Sequence, residues 1–339
     1  MSLPPEPRAN AELVGHDDAA TTLMQAALSG RLHHAWLIAG LPGVGKATLA
    51  FRFARWLLAG LPPPVSGQAP LYLAPEHPVF RRINAGAHAD LFTMQANTGD
   101  KGKKEILRAE DARAAVRFLS FTSAEGGWRC VVIDEVERAD SLTVPNILLK
   151  TLEEPPPRTV LLMTSSAPDR LLPTIRSRCR RLDLHPLAED AMAGLLGRWL
   201  PELDGDQRAR LARIADGAPG RALTLAEAEG LELQDLVEKV LGALPALEPR
   251  QAMAVADRVA GRRDPGAMPT FFALLRRALA AATRQAARDG QGAGFVTARS
   301  LAEWSVLWDR LGRLADETER LNLDRKQAVL TGLSWLSAR

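Results

Sequence analysis

The feature that most constrains the fold of this chain is a glycine-rich loop at residues 40–46 (G-L-P-G-V-G-K). It fits the pattern G-x-x-x-x-G-K, follows an apolar run and precedes a segment with helical periodicity. In this strand–turn–helix setting, backbone N–H groups and a helix N-terminus converge on phosphate oxygens. Gly40, Gly43 and Gly45 are predicted to form the turn, and Lys46 to reach the β- and γ-phosphates of a nucleotide. The alternative is a turn that only connects the strand to the helix.

The next position, Ala47, departs from this pattern. The pattern calls for Ser or Thr there, because that hydroxyl is a Mg²⁺ ligand. Thr48 follows, but one residue along a helix turns the side chain by about 100°, so it is not expected to substitute. We include Ala47 and Thr48 in the predicted cofactor site. We predict that the loop can bind ATP or ADP, that it coordinates Mg²⁺ weakly if at all, and that this chain alone hydrolyses ATP slowly or not at all.

Strand-like and helix-like segments alternate through the first half of the chain, which is typical of an α/β fold with a parallel sheet. Residues 35–39, 129–134 and 160–163 are the strand candidates, and the Pro- and Gly-rich residues 60–78 are predicted to form a surface insertion. After Pro186 the pattern is helical. We therefore predict an α/β plus all-α protein with three domains: a nucleotide-binding domain at residues 1–186, a small helical lid at 187–242 and a helical oligomerisation domain at 243–339.

Two carboxylates follow the second predicted strand, Asp134 and Glu135. In phosphate-loop ATPases an Asp here helps to hold Mg²⁺, and a Glu polarises the attacking water. The alternative is that both residues only cap the next helix. Ser165 ends the third predicted strand and is a candidate sensor of the γ-phosphate, or else a turn hydroxyl. Arg221 begins a predicted helix and is a candidate second contact to the nucleotide, or else a solvated surface arginine.

The composition limits the cofactors and partners that we expect. The two cysteines, Cys130 and Cys179, have no metal-ligand spacing, so we expect neither a zinc site nor a disulfide, and a reducing, cytosolic compartment. No apolar run approaches the roughly 18–20 residues that span a bilayer, so no membrane partner is expected. The net charge of +3 is compatible with a nucleic-acid partner without requiring one. A basic cluster, which is either a phosphate track or solvated surface, comprises Lys101, Lys103 and Lys104.

The order and spacing of these motifs resemble those of bacterial clamp-loader AAA+ subunits. The resemblance covers about residues 10–225. The matching segments are residues 13–16 (L-V-G-H), 31–36 (R-L-H-H-A-W), the glycine-rich loop, Asp134 and Glu135, 146–156 (N-I-L-L-K-T-L-E-E-P-P) and 177–179 (S-R-C). The resemblance implies an AAA+ domain, a helical lid and a C-terminal collar. It also implies an ATP-driven hetero-pentamer, with an ATPase subunit and a delta subunit, that opens the ring-shaped sliding clamp and places it on primer-template DNA.

The resemblance further implies that Arg178, in the S-R-C segment, acts in trans. Such an arginine is lent to the ATP site of the adjacent ATPase subunit, where it places positive charge beside the γ-phosphate. Residues 152–156 (L-E-E-P-P) are expected to face a neighbouring subunit or the DNA path, or else to be structural. Many members carry a four-cysteine zinc module that this chain lacks, since residues 60–90 contain no cysteine. We therefore expect no zinc.

Two other functions compete with this interpretation. The chain could be a self-sufficient ATPase motor subunit of the same loader, with Mg²⁺-dependent hydrolysis that Lys46→Ala abolishes. A kinase or other phosphotransferase would need a substrate pocket that no segment resembles, and it would give the S-R-C segment no purpose. Under the favoured interpretation the chain is a component of a DNA-polymerase holoenzyme and is not itself a polymerase.

Overall fold

A parallel β-sheet lies at the centre of the first half of the chain in the computed structural model. The structure describes residues 4–96, 106–139, 143–262, 264, 266–289 and 294–337. The strands that it places in this sheet are β1 (Ala35–Ala39), β2 (Leu91–Met94), β3 (Arg129–Ile133), β4 (Thr159–Ser165) and β5 (Arg180–Asp183). Their spatial order is β2-β3-β4-β1-β5. The three strands predicted from the sequence are confirmed as β1, β3 and β4.

Both faces of the sheet are covered. Every residue of β1, β3 and β4 is buried, as expected for parallel strands between two layers of helices. Successive side chains alternate between the faces: Trp36 and Ile38 join one hydrophobic core, and Ala35 and Leu37 join the other. The predicted α/β sheet is therefore confirmed.

Helices connect the strands and continue beyond them. Their bounds are α1 (Asp17–Leu28), α2 (Lys46–Leu58), α3 (Pro78–Asn84), α4 (Ala109–Ser120), α5 (Thr143–Glu153), α6 (Pro173–Arg176), α7 (Glu189–Trp199), α8 (Gly205–Ile214) and α9 (Pro219–Glu227). Helix α2 follows the glycine-rich loop directly. Its Leu49, Phe53 and Trp56 lie in the same core as Trp36 of β1, which confirms a helix in the segment with helical periodicity.

Two buried arginines of α2 were not predicted. Arg52 donates hydrogen bonds to the carbonyls of Ala69 (2.8 Å) and Pro70 (2.7 Å). Arg55 donates to the carbonyls of Arg8 (2.8 Å) and Asn10 (2.6 Å). Burial lowers the pKa of Arg52 to about 10 and that of Arg55 to about 9, so both remain charged near neutral pH. These arginines attach the N-terminal segment and the 60–78 insertion to the core.

The prediction that residues 60–78 form a surface insertion is only partly right. Residues 63–68 are exposed, as expected. Leu71 and Leu73 are buried in the core beside α2. The Pro and Gly content correctly indicated irregular backbone, but it could not indicate that part of this backbone supplies core side chains.

The chain divides into two compact units, the first comprising Met1–Arg208 and Ala215–Arg221 and the second Ala209–Ile214 and Ala222–Arg339. The three-domain division at residues 186 and 242 stays a prediction. Past α9, the regular elements of the described residues are helical. The long ones are α10 (Gly230–Ala243), α11 (Pro249–Ala260), α12 (Ala267–Asp289), α13 (Leu301–Leu321) and α14 (Arg325–Ser337). The predicted all-α C-terminal part is thereby confirmed.

Helix α13 carries apolar residues at helical spacing, and most of them are buried or half-buried. Trp304 and Leu311 are buried, and Trp308 is half-buried. The Arg276 guanidinium lies over the Trp308 ring, with its Cζ 3.7 Å from the ring centroid. Leu301, at the same spacing, is 46% exposed. It is the first residue of the helix, where the apolar face extends past the core.

Candidate phosphate site and the Ser-Arg-Cys arginine

The glycine-rich loop joins β1 to α2 within the first unit. Gly43 and Gly45 have φ of 74° and 113°, in the left-handed region that glycine adopts without a Cβ penalty. Gly45 is the N-cap of α2 and makes no side-chain cap hydrogen bond. The first N–H groups of a helix have no intrahelical acceptor and attract anions. The backbone geometry is therefore that of a phosphate-binding turn.

The Lys46 ammonium is folded back onto its own loop. It donates to the carbonyls of Gly40 (3.0 Å) and Leu41 (2.9 Å) and to the hydroxyl of Ser166 (2.8 Å). These three contacts match the three donors that an ammonium has. Burial lowers the pKa of Lys46, against the opposing charge of Glu137 and, more weakly, of the strand-end carboxylates. A phosphate would have to replace one or more of these internal contacts.

The two carboxylates after β3 have different environments. Asp134 Oδ1 accepts a hydrogen bond from the hydroxyl of Thr164 (2.6 Å), and the Glu135 amide donates to that same hydroxyl (2.9 Å). The Glu135 carboxylate pairs with Arg138 Nε at 2.8 Å. Burial raises the pKa of Glu135, although Arg138 opposes the shift. Glu135 thus has the partly desolvated setting that favours a general base, but its predicted role remains untested.

The hydroxyl beside Lys46 belongs to Ser166, which was not among the predicted site residues. The Ser165 hydroxyl accepts from the amide of Ala167 (3.1 Å), while the Ser165 carbonyl accepts from the Gly40 amide (3.2 Å). Successive strand residues face opposite sides of a sheet. The choice between the two serines therefore depends on where the strand ends. The γ-phosphate role given to Ser165 stays a prediction.

A third carboxylate, Glu137, also belongs to this site and was missed. Its Oε1 accepts from the Ser166 amide at 2.7 Å. Its Oε2 is buried and has no hydrogen-bond partner among the described residues. Among the carboxylates that raise the pKa of Lys46, Glu137 has the largest effect. The available signal was a third acidic residue two positions beyond Glu135, but acidic residues are common there.

At the loop position where a Mg²⁺ ligand was expected, the side chain offers no oxygen. Ala47 lies in the first turn of α2 and carries no oxygen, and Thr48 follows it on the same turn. Asp134, the other expected Mg²⁺ ligand, already shares its Oδ1 with Thr164. Among the described residues, no three His, Cys, Asp or Glu side chains form a cluster that could hold a metal ion.

The start of α9 lies directly against the glycine-rich loop. The Gly220 amide donates to the Gly43 carbonyl at 2.8 Å. A Cβ on Gly43 would lie 2.3 Å from the Arg221 backbone nitrogen, so only glycine fits. The Arg221 guanidinium pairs with Asp216 at 2.9 Å. The Arg221 backbone therefore lies beside the loop, and the nucleotide contact of its side chain stays a prediction.

His16, which precedes the glycine-rich loop in the sequence, forms a hydrogen bond with the loop backbone. Its Nε2 lies 2.8 Å from the Val44 carbonyl and therefore carries the proton of this hydrogen bond. Burial lowers the pKa of His16, with the Val44 contact opposing the shift. The L-V-G-H segment contributed to the family resemblance, but no role was predicted for any of its residues. Its His16 is a support for the loop backbone.

Arg178 lies in the turn after α6, two residues past the end of that helix. Its Nη2 pairs with Glu153 Oε1 at 2.6 Å, and its Nη1 donates to the Thr174 carbonyl at 3.0 Å. Neither partner belongs to the glycine-rich loop or its supports. The other arginine of this segment, Arg176, pairs with Asp169 at 3.1 Å. The contacts of Arg178 thus lie outside the glycine-rich loop, and its role in trans stays a prediction.

The region in which a zinc module was considered has a different organisation. Asp90 accepts hydrogen bonds from the Ser123 hydroxyl and from the amides of Ala124 and Glu125, at 2.8–3.0 Å. These contacts lower the pKa of Asp90 although burial opposes the shift. Asp90 therefore holds the loop before β3. Lys101, Lys103 and Lys104, the basic cluster, lie outside the described residues.

The chain is similar to known subunits of DNA polymerase III. Residues 15–188, more than half of the chain, match the protein family described as "DNA polymerase III, delta subunit". The curated protein "DNA polymerase III subunit delta'" of Pseudomonas aeruginosa is 34% identical over 194 residues, which are 57% of this chain and 56% of that protein. The Escherichia coli K12 protein of the same name is 33% identical over 216 residues, 63% of this chain and 60% of that protein. Each match thus spans less than two thirds of the relative.

The solved structures also include similar chains. The DNA polymerase III gamma subunit-related protein of Thermotoga maritima is 17% identical, with a TM-score of 0.47, and the match covers 94% of this chain and 99% of that one. In the part of this chain that the structure describes, no helix is long and apolar enough to cross a membrane.

Proposed function

Because residues 15–188 place this chain in the family described as "DNA polymerase III, delta subunit", we propose that it acts as a delta'-type subunit of a bacterial clamp loader. It assembles with an ATPase subunit and a delta subunit into a hetero-pentamer in the cytoplasm. The assembly opens the sliding clamp and places it on primer-template DNA. In this proposal residues 1–186 form the AAA+ domain, 187–242 the lid and 243–339 the collar through which the subunits associate.

The observation that carries the proposal is the position of Arg178. Its guanidinium is only partly exposed, with 34% of its side-chain surface accessible, and it contacts no residue of the glycine-rich loop of its own chain. A charged group placed outside the local phosphate site is suited to a nucleotide held by a neighbouring subunit. There it would stabilise the negative charge that develops on the transferred phosphoryl group.

The local phosphate site supports the same division of labour. The loop backbone and the uncapped N-terminus of α2 are suited to bind phosphate. Ala47 supplies no Mg²⁺ ligand, and Lys46 is held by Gly40, Leu41 and Ser166. We propose that this site binds ATP or ADP with little help from Mg²⁺ and contributes little hydrolysis. Glu135 would then have no activated metal-bound phosphate to act on.

The test replaces Arg178 in the reconstituted loader. Arg178→Ala should leave assembly unchanged by gel filtration. In a loader in which only the ATPase subunit beside this chain retains its phosphate-loop lysine, it should lower the ATPase rate by at least about a hundredfold, since an arginine supplied in trans is worth about 10³–10⁵ in kcat. Loading of the clamp onto primed DNA should fall with it. Arg176→Ala is the matched control, because Arg176 lies two residues away and pairs with Asp169. Normal hydrolysis by the Arg178→Ala complex would refute the proposal.

The competing function is an autonomous ATPase motor. Under that function the isolated chain would hydrolyse ATP with Mg²⁺, and Lys46→Ala would abolish the activity. The Arg178→Ala substitution would leave this activity of the isolated chain intact. The two functions therefore differ in which of the two residues controls turnover and in whether a neighbouring subunit is required.

A further inference from the structure

The Arg178 guanidinium is bound between two helices of its own chain. Nη2 donates to Glu153 Oε1 at 2.6 Å, and Nη1 donates to the Thr174 carbonyl at 3.0 Å. Glu153 is the last residue of α5, and Thr174 lies in α6. The guanidinium therefore has one anionic partner, and this partner comes from the L-E-E-P-P segment, for which the proposed function gave no task.

The end of α5 that carries Glu153 is fixed in place. His34 Nε2 donates to the Leu152 carbonyl at 2.9 Å, and Pro155 and Pro156 follow where the helix has ended. A carboxylate at a helix C-terminus lies near the negative end of the helix dipole, which is unfavourable. The helix itself thus gives no reason for Glu153 at this position, whereas the positive charge of Arg178 offsets the cost.

The adjacent carboxylate has no such partner. The Glu154 amide continues the turn by donating to the Lys150 carbonyl at 2.9 Å. The Glu154 side chain is exposed and forms no ion pair among the described residues. Two exposed acidic residues are therefore adjacent, and among the described residues Glu153 is the one that pairs with the arginine.

We propose that Glu153 is a positioning residue that acts as the internal counter-ion of Arg178 and is displaced by the γ-phosphate of the neighbouring subunit's nucleotide. This inference rests on the proposed function of Arg178 in trans. An arginine stays charged at all relevant pH values, so its Nη2 always requires an anionic or polar acceptor. Before a triphosphate arrives, that acceptor is the Glu153 carboxylate, and the pair fixes the position of the guanidinium between α5 and α6.

The exchange predicts selectivity between nucleotides. A γ-phosphate competes with Glu153 for Nη2, because both are anionic oxygen acceptors of the same donor. ADP has no γ-phosphate and leaves the ion pair intact. Neutralising Glu153 removes the competitor, so triphosphate binding at the neighbouring site should tighten while ADP binding does not change. The pair is exposed on both sides, at 34% and 50% of side-chain surface, which limits the effect to about two- to fivefold.

The experiment uses a reconstituted loader in which only the ATPase subunit beside this chain retains its phosphate-loop lysine. Fluorescence titrations measure the affinity of that site for a non-hydrolysable ATP analogue and for ADP. The variants are Glu153→Gln, Glu154→Gln as the matched control, Arg178→Ala, and the double variant of Glu153→Gln with Arg178→Ala. We expect Glu153→Gln to tighten analogue binding about two- to fivefold and to leave ADP binding unchanged. Glu154→Gln should match the unaltered complex.

The double variant separates the two proposals. If Arg178→Ala weakens analogue binding and Glu153→Gln has no further effect on that background, Glu153 acts through Arg178. The inference is overturned if Glu153→Gln behaves like Glu154→Gln, weakens analogue binding, or has the same effect in the absence of Arg178. If Arg178→Ala itself changes neither binding nor hydrolysis, the proposed function fails, and the inference fails with it.

Discussion

Replacing Gly43 by Ala tests whether the glycine-rich loop and the first residues of α9, up to Arg221, are held together as the structure describes. The new Cβ would lie 2.3 Å from the Arg221 nitrogen and 2.8 Å from the Gly220 carbonyl carbon, so the backbone of α9 must move. A non-glycine residue in the left-handed region costs about 1–2 kcal/mol. Loss of the 2.8 Å hydrogen bond between Gly220 and Gly43 adds about 1 kcal/mol. The expected destabilisation is about 2–3 kcal/mol.

Gly67 offers a matched control for the conformational part of this cost. It has φ of 74°, the same as Gly43, but a Cβ there would meet nothing within 4 Å. Gly67→Ala should therefore lose only the conformational part, about 1–2 kcal/mol. Urea unfolding compares the two variants, and hydrogen exchange measures protection of the Gly220 amide. Equal stability of the two variants, or a Gly220 amide still protected in Gly43→Ala, would contradict the reasoning.

Three further predictions concern other parts of the first unit. Ala47→Thr restores a hydroxyl at the position of the expected Mg²⁺ ligand. Calorimetric ATP titration should therefore show Mg²⁺-dependent binding in this variant and Mg²⁺-independent binding in the unaltered chain. Equal Mg²⁺ dependence in both would contradict the assignment. Arg55→Met leaves the carbonyls of Arg8 and Asn10 unpaired at a cost of about 2–4 kcal/mol, and limited proteolysis should then cleave the N-terminal segment, whose continued protection would count against this attachment. The pKa of His16 is lowered by burial, so the folded state binds fewer protons than the unfolded state. Its contribution to stability is present above the unfolded pKa of about 6.5 and is lost as the pH falls toward the folded pKa. The melting temperature should decline less steeply below pH 6.5 in His16→Gln, and parallel curves would refute this source of pH dependence.

The sequence predicted the local elements of the candidate site well. The strand–turn–helix around Lys46 follows from an apolar run, glycines that permit positive φ and a helical apolar pattern. All of these signals lie within about twenty residues, so local physics is sufficient to place them. The lack of a hydroxyl at Ala47 required no structure at all, because it is a property of the residue itself.

Contacts between residues far apart in the chain could not be predicted from the sequence. The ion pair between Glu153 and Arg178 joins residues 25 positions apart, and the hydrogen bond of Lys46 to Ser166 joins residues 120 positions apart. Which strand-end hydroxyl meets Lys46 depends on the register between β1 and β4. No periodicity within a single segment contains that information.

The amino-acid sequence by itself determined that this chain folds around a parallel sheet with a glycine-rich turn of the phosphate-binding kind. It also determined that residue 47, the position of the expected Mg²⁺ ligand, has no side-chain oxygen. These properties follow from side-chain chemistry and from the periods of strands and helices. Only the tertiary structure decided that Gly220 pairs with Gly43, that Ser166 and Glu137 lie beside Lys46, and that Glu153 pairs with Arg178. Packing brings those residues together because the burial of distant apolar faces, and not the spacing of the polar residues, fixes the relative positions of the strands and helices.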